Sequence, residues 1–397
     1  MASSVAPSLS HVPSRSAPRI PALDGLRGVA ILLVLANHTI AQLGDTLLGA
    51  RLIAVTRVGW LGVDLFFVLS GFLITGILLD GRGAPGALRR FYARRARRIW
   101  PLYLLVLAIL TSIALWTTWA ADVERAAFRD AAPWLWTHTV NWYHARPFPT
   151  YHNPLGIAGY WSLAVEEQFY LAWPLLLLAV RRAWVGGLCL AIAAASLALR
   201  SGLLVSGMSA GATYMMTVTR LDGLALGGWL AVCARDAARW AALRSLARPL
   251  IVSPMRGALA FLALAAIAWA LDPSMRAGAA PVQLIVIPAG NLVAGWALVA
   301  AATAPAGSPL ARRLTWAPLR WAGTVSYGLY LLHGPVLYFV DEVATRVVLD
   351  MPRLVQFLAA LGLTAVLAAA SWRWWEGPWL RDPSVERGRA QPQIVAP

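Results

Sequence analysis

The 397-residue sequence contains no lysine; all 34 of its basic residues are arginine. Charge of either sign is scarce, at 13% of residues, against roughly 25% in ordinary soluble domains. With 59% hydrophobic residues, that shortage excludes a conventional soluble domain. Cysteine is nearly absent: Cys189 and Cys233 lie in apolar stretches without a CxxC spacing, which argues against disulfide, redox or metal roles. No period of 20–50 residues repeats, so solenoid and array architectures are excluded as well.

What the sequence does have is apolar runs long enough to cross a bilayer at about 20 residues each. They fall at 22–43, 58–79, 99–120, 160–180, 185–203, 211–233, 257–271, 283–303, 321–341 and 354–374. The fold class that follows is all-α, a polytopic membrane bundle of about ten helices. The net charge of +16 would suit nucleic acid in a soluble protein. Here the arginines fill short loops between apolar runs, which is the positive-inside pattern and not a basic groove. Keeping the aromatic stretch 131–143 at the interface puts most loop arginines on one side and both termini in the cytoplasm. The three histidines of the 121–159 segment, His138, His144 and His152, are irregularly spaced, so a solvated interfacial segment is favoured over a metal site. Residues 1–19 and 381–397 read as flexible cytoplasmic tails flanking a membrane domain at 20–380. The first of them is expected to lack a cleavage site, leaving the following run as the first membrane helix.

Ionisable residues inside the runs mark function by default, because each costs at least a few kcal/mol in lipid. In LDGLRGVAILLVLANH, Arg27 and His38 are eleven residues apart. On a helix that is three turns plus about 20°, so the two share a face about 16 Å apart along the axis. A permanently charged guanidinium suits phosphate, and an imidazole suits proton transfer. An elongated thioester donor such as an acyl-CoA would need about that spacing. Asp24, at i−3 from Arg27, is either its ion-pair partner or part of the site. Asp64, Glu166, Glu167, Asp222 and His333 fall at related depths in other runs. Asp64 or a glutamate could orient His38, and of the adjacent glutamates only one is expected to face a given site, Glu167 being favoured. The arginines of ALRRFYARRARRIWPLY divide between contacts with anionic headgroups and a clamp for donor phosphates.

Taken together, LDGLRGVAILLVLANH, GVDLFFVLSGFLIT, FYARRARRIWPLY, WSLAVEEQFYLAWP, TRLDGLALGG, SYGLYLLHGPV and SWRWWEGPWL resemble the acyltransferase 3 family of integral-membrane O-acyltransferases. The resemblance covers nearly the whole chain. It implies a multi-pass plasma-membrane enzyme that moves an acyl group, commonly acetyl, from acyl-CoA to a hydroxyl of a surface polysaccharide or a secondary metabolite such as a macrolide. It maps the family's essential arginine and histidine onto Arg27 and His38, and its RxxR motif onto Arg95 and Arg98. His38 is then the general base, with Glu167 and Asp64 in catalytic support and Asp24, Glu166, Asp222 and His333 around the substrates. No tightly bound cofactor, metal or nucleic acid is implied; lipids are partners, and self-association is left open. Gly159 and Tyr160 stand where the family often has a histidine and a threonine, so that histidine's role is absent or passes to His152. The C-terminal hydrolase-like domain of many members is not expected here. The rival expectation is a transporter or flippase of a sugar or lipid-linked precursor. Paired, interrupted helices in two matching halves would favour it, and the sequence shows no such symmetry.

Overall fold

Apolar stretches become helices in the computed structural model, which describes residues 20–39, 56–118, 120–146, 153–274, 276–346 and 351–380. The expected tails at 1–19 and 381–397, and His152, lie outside the described residues. Among the described residues there is no strand. In chain order the helices begin with α1 (Pro21–Thr39), α2 (Leu61–Gly81), α3 (Ala87–Trp116), α4 (Asp122–Trp136), α5 (Val140–His144) and α6 (Tyr160–Ala179). Next come α7 (Val185–Val205), α8 (Ala210–Met215), α9 (Leu221–Cys233), α10 (Ala237–Val252), α11 (Met255–Leu271) and α12 (Ile287–Thr303). The chain closes through α13 (Pro309–Leu314), α14 (Ala317–Thr324), α15 (Ser326–Arg346), α16 (Arg353–Ser371) and α17 (Gly377–Leu380).

Five stretches are long and apolar enough to cross a membrane: Arg57–Gly81, Ala87–Trp116, Arg182–Val205, Val282–Thr303 and Arg353–Leu380. The pair α10 and α11, bent by 94°, makes a sixth if it is one span. Helices α1, α6 and α15 coincide with further predicted runs but fall short of that measure. They carry Arg27 and His38, Glu166 and Glu167, and His333, the residues that lower an apolar average. The result is an all-α membrane bundle.

Two expected runs and one expected loop are built differently. The run 211–233 breaks at the 3₁₀ turn Thr217–Thr219, between α8 and α9. The run 321–341 is interrupted at Val325, between α14 and α15. The arginine-rich stretch before residue 99, expected as a loop, is the first third of α3, because Ala, Leu and Arg are strong helix formers.

Helix α2 is central: 61% of its apolar window is buried inside the protein, against 17% for the stretch containing α7. It packs most closely on α9, where Gly71 faces Leu224 and Gly227 faces Val68. A Cβ on Gly71 would stand 1.9 Å from the Leu224 carbonyl oxygen, and one on Gly227 would stand 2.0 Å from that of Val68. Small residues spaced by four, here Gly223 and Gly227, let membrane helices approach backbone to backbone. Helix α1 lies against α2, α14 and α15, which brings its polar face to the middle of the bundle.

Two fully buried arginines tie this centre together. Arg220, at the break before α9, donates to Asp64 of α2 at 2.5 Å. Its guanidinium lies over the rings of Tyr214, Phe67 and Trp161, 4.8–5.9 Å from their centres. Arg200 of α7 donates to Asp222 at 2.7 Å and to the Thr219 carbonyl at 2.7 Å. The helix break is what frees that carbonyl and aims Arg220 across at α2.

Candidate active site

Helices α1, α2, α3, α6 and α15 enclose a cavity that leaves about 170 Å³ for the centres of water molecules. Its wall is mixed. Val63, Phe66, Leu69 and Ile74 of α2 give an apolar side, and charged groups from α1, α3 and α6 give the other.

Three guanidiniums face this space: Arg27 from α1, and Arg95 and Arg98 from α3. Residues three apart on a helix share a face, so Arg95 and Arg98 turn inward together, while Arg89, Arg90, Arg94 and Arg97 are exposed. The arginine-rich stretch thus divides by helical phase into a cavity pair and a surface set. Among the described residues none of the three cavity arginines makes an ion pair or a side-chain hydrogen bond to protein. Arg95 lies over the Tyr170 ring at 5.9 Å, and its Nε is buried without a partner.

Both glutamates of α6 line the cavity, which corrects the expectation that only one could face it. The cavity wraps far enough around α6 to meet both. Glu166 is held: Ser70 Oγ donates to its Oε1 at 2.8 Å and Tyr170 OH to its Oε2 at 2.9 Å. Glu167 Oε1 is buried and has no partner.

His38 does not line the cavity. Its Nδ1 stands 3.0 Å from His333 Nε2 of α15, with the ring centres 5.1 Å apart and the ring planes 15° from parallel. His333 Nδ1 is 2.6 Å from the Tyr330 carbonyl oxygen. Tyr330 joins the two places: it lines the cavity, and its ring packs edge-on against His333 at 5.6 Å. Its hydroxyl is 2.5 Å from Ser162 Oγ and donates to the Gly159 carbonyl at 3.0 Å. The open slot expected from Arg27 to His38 is therefore a cavity that begins at Arg27 and ends on the wall that carries the histidine pair.

The local backbone explains how that wall is held. Pro335 has no N–H to offer the Leu331 carbonyl one turn back, and Tyr160 OH occupies that carbonyl at 2.8 Å. Gly156, at φ 78°, presses the 154–159 turn onto Gly334; a Cβ on either would come within 2.1 Å of the other's carbonyl oxygen.

The remaining sequence-derived candidates lie elsewhere. Asp64, offered as the partner that orients His38, belongs to Arg220, and His38 has His333 instead. Asp222, expected beside Arg220, pairs with Arg200. Both aspartates are tied into the packing of α2, α7 and α9, outside the cavity lining. Asp24 is buried where α1 meets α14, its carbonyl against Gly323, and Arg27 turns to the cavity. Sequence reasoning missed Ser70, Tyr103, Ser162, Tyr170, Tyr327 and Tyr330, all in the lining. Tyr170 was the readable one, four residues after Glu166 and so on its face. His138, assigned to a solvated segment, lies on the cavity wall, stacked 4.2 Å from Tyr103. Gln168 of α6 fixes it there by donating to the His138 carbonyl at 2.8 Å. Among the described residues no three His, Cys, Asp or Glu side chains gather as a metal ion would require.

The sequence profile of the family described as "Acyltransferase domain" matches residues 20–373. The chain is similar to the peptidoglycan O-acetyltransferase OatA of Listeria monocytogenes, with 28% identity over 374 residues, 90% of this chain and 55% of that protein. It is also similar to the O-acetyltransferase OatA of Staphylococcus aureus, with 30% identity over 372 residues, 90% of this chain and 57% of that protein. The chain spans about half the length of the curated relatives it matches. No solved structure matches it. The matched region contains every helix of the cavity wall, and this multi-pass membrane protein belongs to the acyltransferase domain family.

Proposed function

We propose that the protein is a membrane O-acyltransferase that moves an acetyl group from acetyl-CoA to a hydroxyl of a cell-surface polysaccharide, with peptidoglycan as the first acceptor to test. The observation that carries this reading is the set Arg27, Arg95 and Arg98: three cations turned into one cavity, none of them in an ion pair among the described residues although two glutamates line the same space. Buried or half-buried guanidiniums are costly unless a partner arrives, and arginine matches phosphate oxygens in a bidentate way. In this reading the donor's phosphates are that partner. Its acyl end extends along the apolar side of α2 toward Tyr330.

His38 takes the proton from the acceptor hydroxyl as that oxygen attacks the thioester carbon. The same proton then goes to the departing thiolate. General-base action of this kind contributes about 10²–10⁴-fold in rate. The relatives' names support O-acetyl transfer and a peptidoglycan acceptor; the donor is argued from the arginines alone.

The test is transfer of radiolabel from acetyl-CoA to peptidoglycan oligosaccharide by the protein in proteoliposomes. The expected outcome is transfer by the native protein and a loss of about 10²-fold or more for His38→Ala, with unchanged thermal stability. Transfer at the native rate by His38→Ala removes the base assignment. Failure of coenzyme A to protect the native protein against thermal unfolding removes the donor assignment.

A further inference from the structure

With both rings neutral, the distances of the histidine pair assign its protons. A carbonyl oxygen can only accept, so at 2.6 Å from the Tyr330 carbonyl His333 Nδ1 carries the hydrogen. A neutral imidazole has one N–H, so His333 Nε2 is an acceptor. His38 Nδ1 faces that acceptor at 3.0 Å and must donate to it. The hydrogen of His38 is then on Nδ1, and its Nε2 lone pair is bare.

We propose that His333 is a positioning residue: it locks His38 in the one neutral tautomer whose Nε2 can accept a proton. The proposal rests on His38 being the base of the reaction above. Without a fixed partner an imidazole samples both tautomers and turns about its side-chain bonds, and the hydrogen bond made by one ring nitrogen decides what the other can do. His333 is itself unable to turn away. Gly334 is pressed against Gly156, the Tyr160 hydroxyl holds the Leu331 carbonyl, and Tyr330 packs on the ring.

The proton balance is complete within the pair. Nε2 of His38 gains the acceptor's proton while the new C–O bond forms. The resulting imidazolium keeps donating from Nδ1 to the lone pair of His333. Nε2 then releases its proton to the thiolate as the C–S bond breaks, and both rings return to their starting states. His333 holds its Nδ1 hydrogen throughout and touches neither substrate.

The test uses His333→Asn and His333→Gln in proteoliposomes, with acetyl-CoA and peptidoglycan oligosaccharide. The Asn amide ends near the place of Nδ1 and offers nothing to His38. The Gln amide is one methylene longer and can put its oxygen where Nε2 stood. The expected result is a fall in kcat of about 10²-fold or more for His333→Asn, because the general-base contribution goes with the tautomer, an unchanged KM for acetyl-CoA, and recovery of most of kcat by His333→Gln. Native kcat in His333→Asn, or equal losses in the two variants, overturns the proposal. A second measurement needs no substitution at 333: ¹⁵N NMR of the histidine-labelled native protein, with His38 assigned by its loss in His38→Ala. An unprotonated, pyridine-type Nε2 on His38 supports the proposal; a protonated Nε2 overturns it, whatever becomes of the transfer reaction.

Discussion

Two groups of arginines lie within a few turns of each other and are treated in opposite ways. Around α2, α7 and α9, Arg220 and Arg200 are fully buried and each meets an aspartate at 2.5–2.7 Å. Around α1 and α3, Arg27, Arg95 and Arg98 face a cavity and meet no carboxylate among the described residues, although Glu166 and Glu167 line the same space. Glu166 is occupied by Ser70 and Tyr170 instead. A charge closed off with its counter-charge serves packing. A charge left facing space beside acids it does not pair with is, in the proposed function, the one that serves a ligand. Depth in the bundle does not separate structural from functional arginines; partners do.

Truncating one partner on the paired side is expected to have the largest effect. Asp64→Ala leaves Arg220 buried without its anion, which costs about 3–5 kcal/mol; a large drop in the thermal midpoint in detergent, with donor KM unchanged in whatever remains folded, would sustain the contrast. A native midpoint would break it. On the other side, Arg98→Ala and Arg27→Ala are expected to leave the midpoint unmoved and to raise the KM for acetyl-CoA. The loss of one charge-assisted hydrogen bond, about 1.5–3 kcal/mol, corresponds to roughly tenfold or more. The smallest effect belongs to Arg94→Ala and Arg97→Ala, on the exposed face of α3. Surface substitutions of this kind stay within about 0.5 kcal/mol, so neither midpoint nor KM should shift measurably. A KM change in Arg94→Ala as large as in Arg98→Ala would erase the division of α3 into two faces.

The parts of the site that a sequence shows are those fixed by one helix. The eleven-residue spacing of Arg27 and His38 on α1 follows from helical geometry, whereas Arg95 and Arg98 were legible only through the family's RxxR motif, in a stretch expected as a loop. Pairings between helices have no such ruler. Arg220 meets Asp64 across 156 positions and His38 meets His333 across 295, and the sequence offered nearer partners for each. His138 shows a third kind of limit. It sits at φ 52°, in a region that few residues other than glycine adopt, and its links to α6 and Tyr103 hold it on the cavity wall. The fold class was readable from charge scarcity and apolar runs. The break before α9 was not, because it is set by what Arg220 reaches.

The length of α3 has a consequence for any molecule that enters from its arginine end. Thirty residues make about 45 Å of helix, while the hydrocarbon layer is about 30 Å thick. Counted back from Trp116, an apolar layer of that thickness would be used up near Arg95 and Arg98, which would put the mouth of the cavity at its edge. In the proposed function, a donor gripped there would keep its ionised head hydrated and send only its neutral tail beneath the surface, avoiding the heavy toll of drawing phosphate into oil.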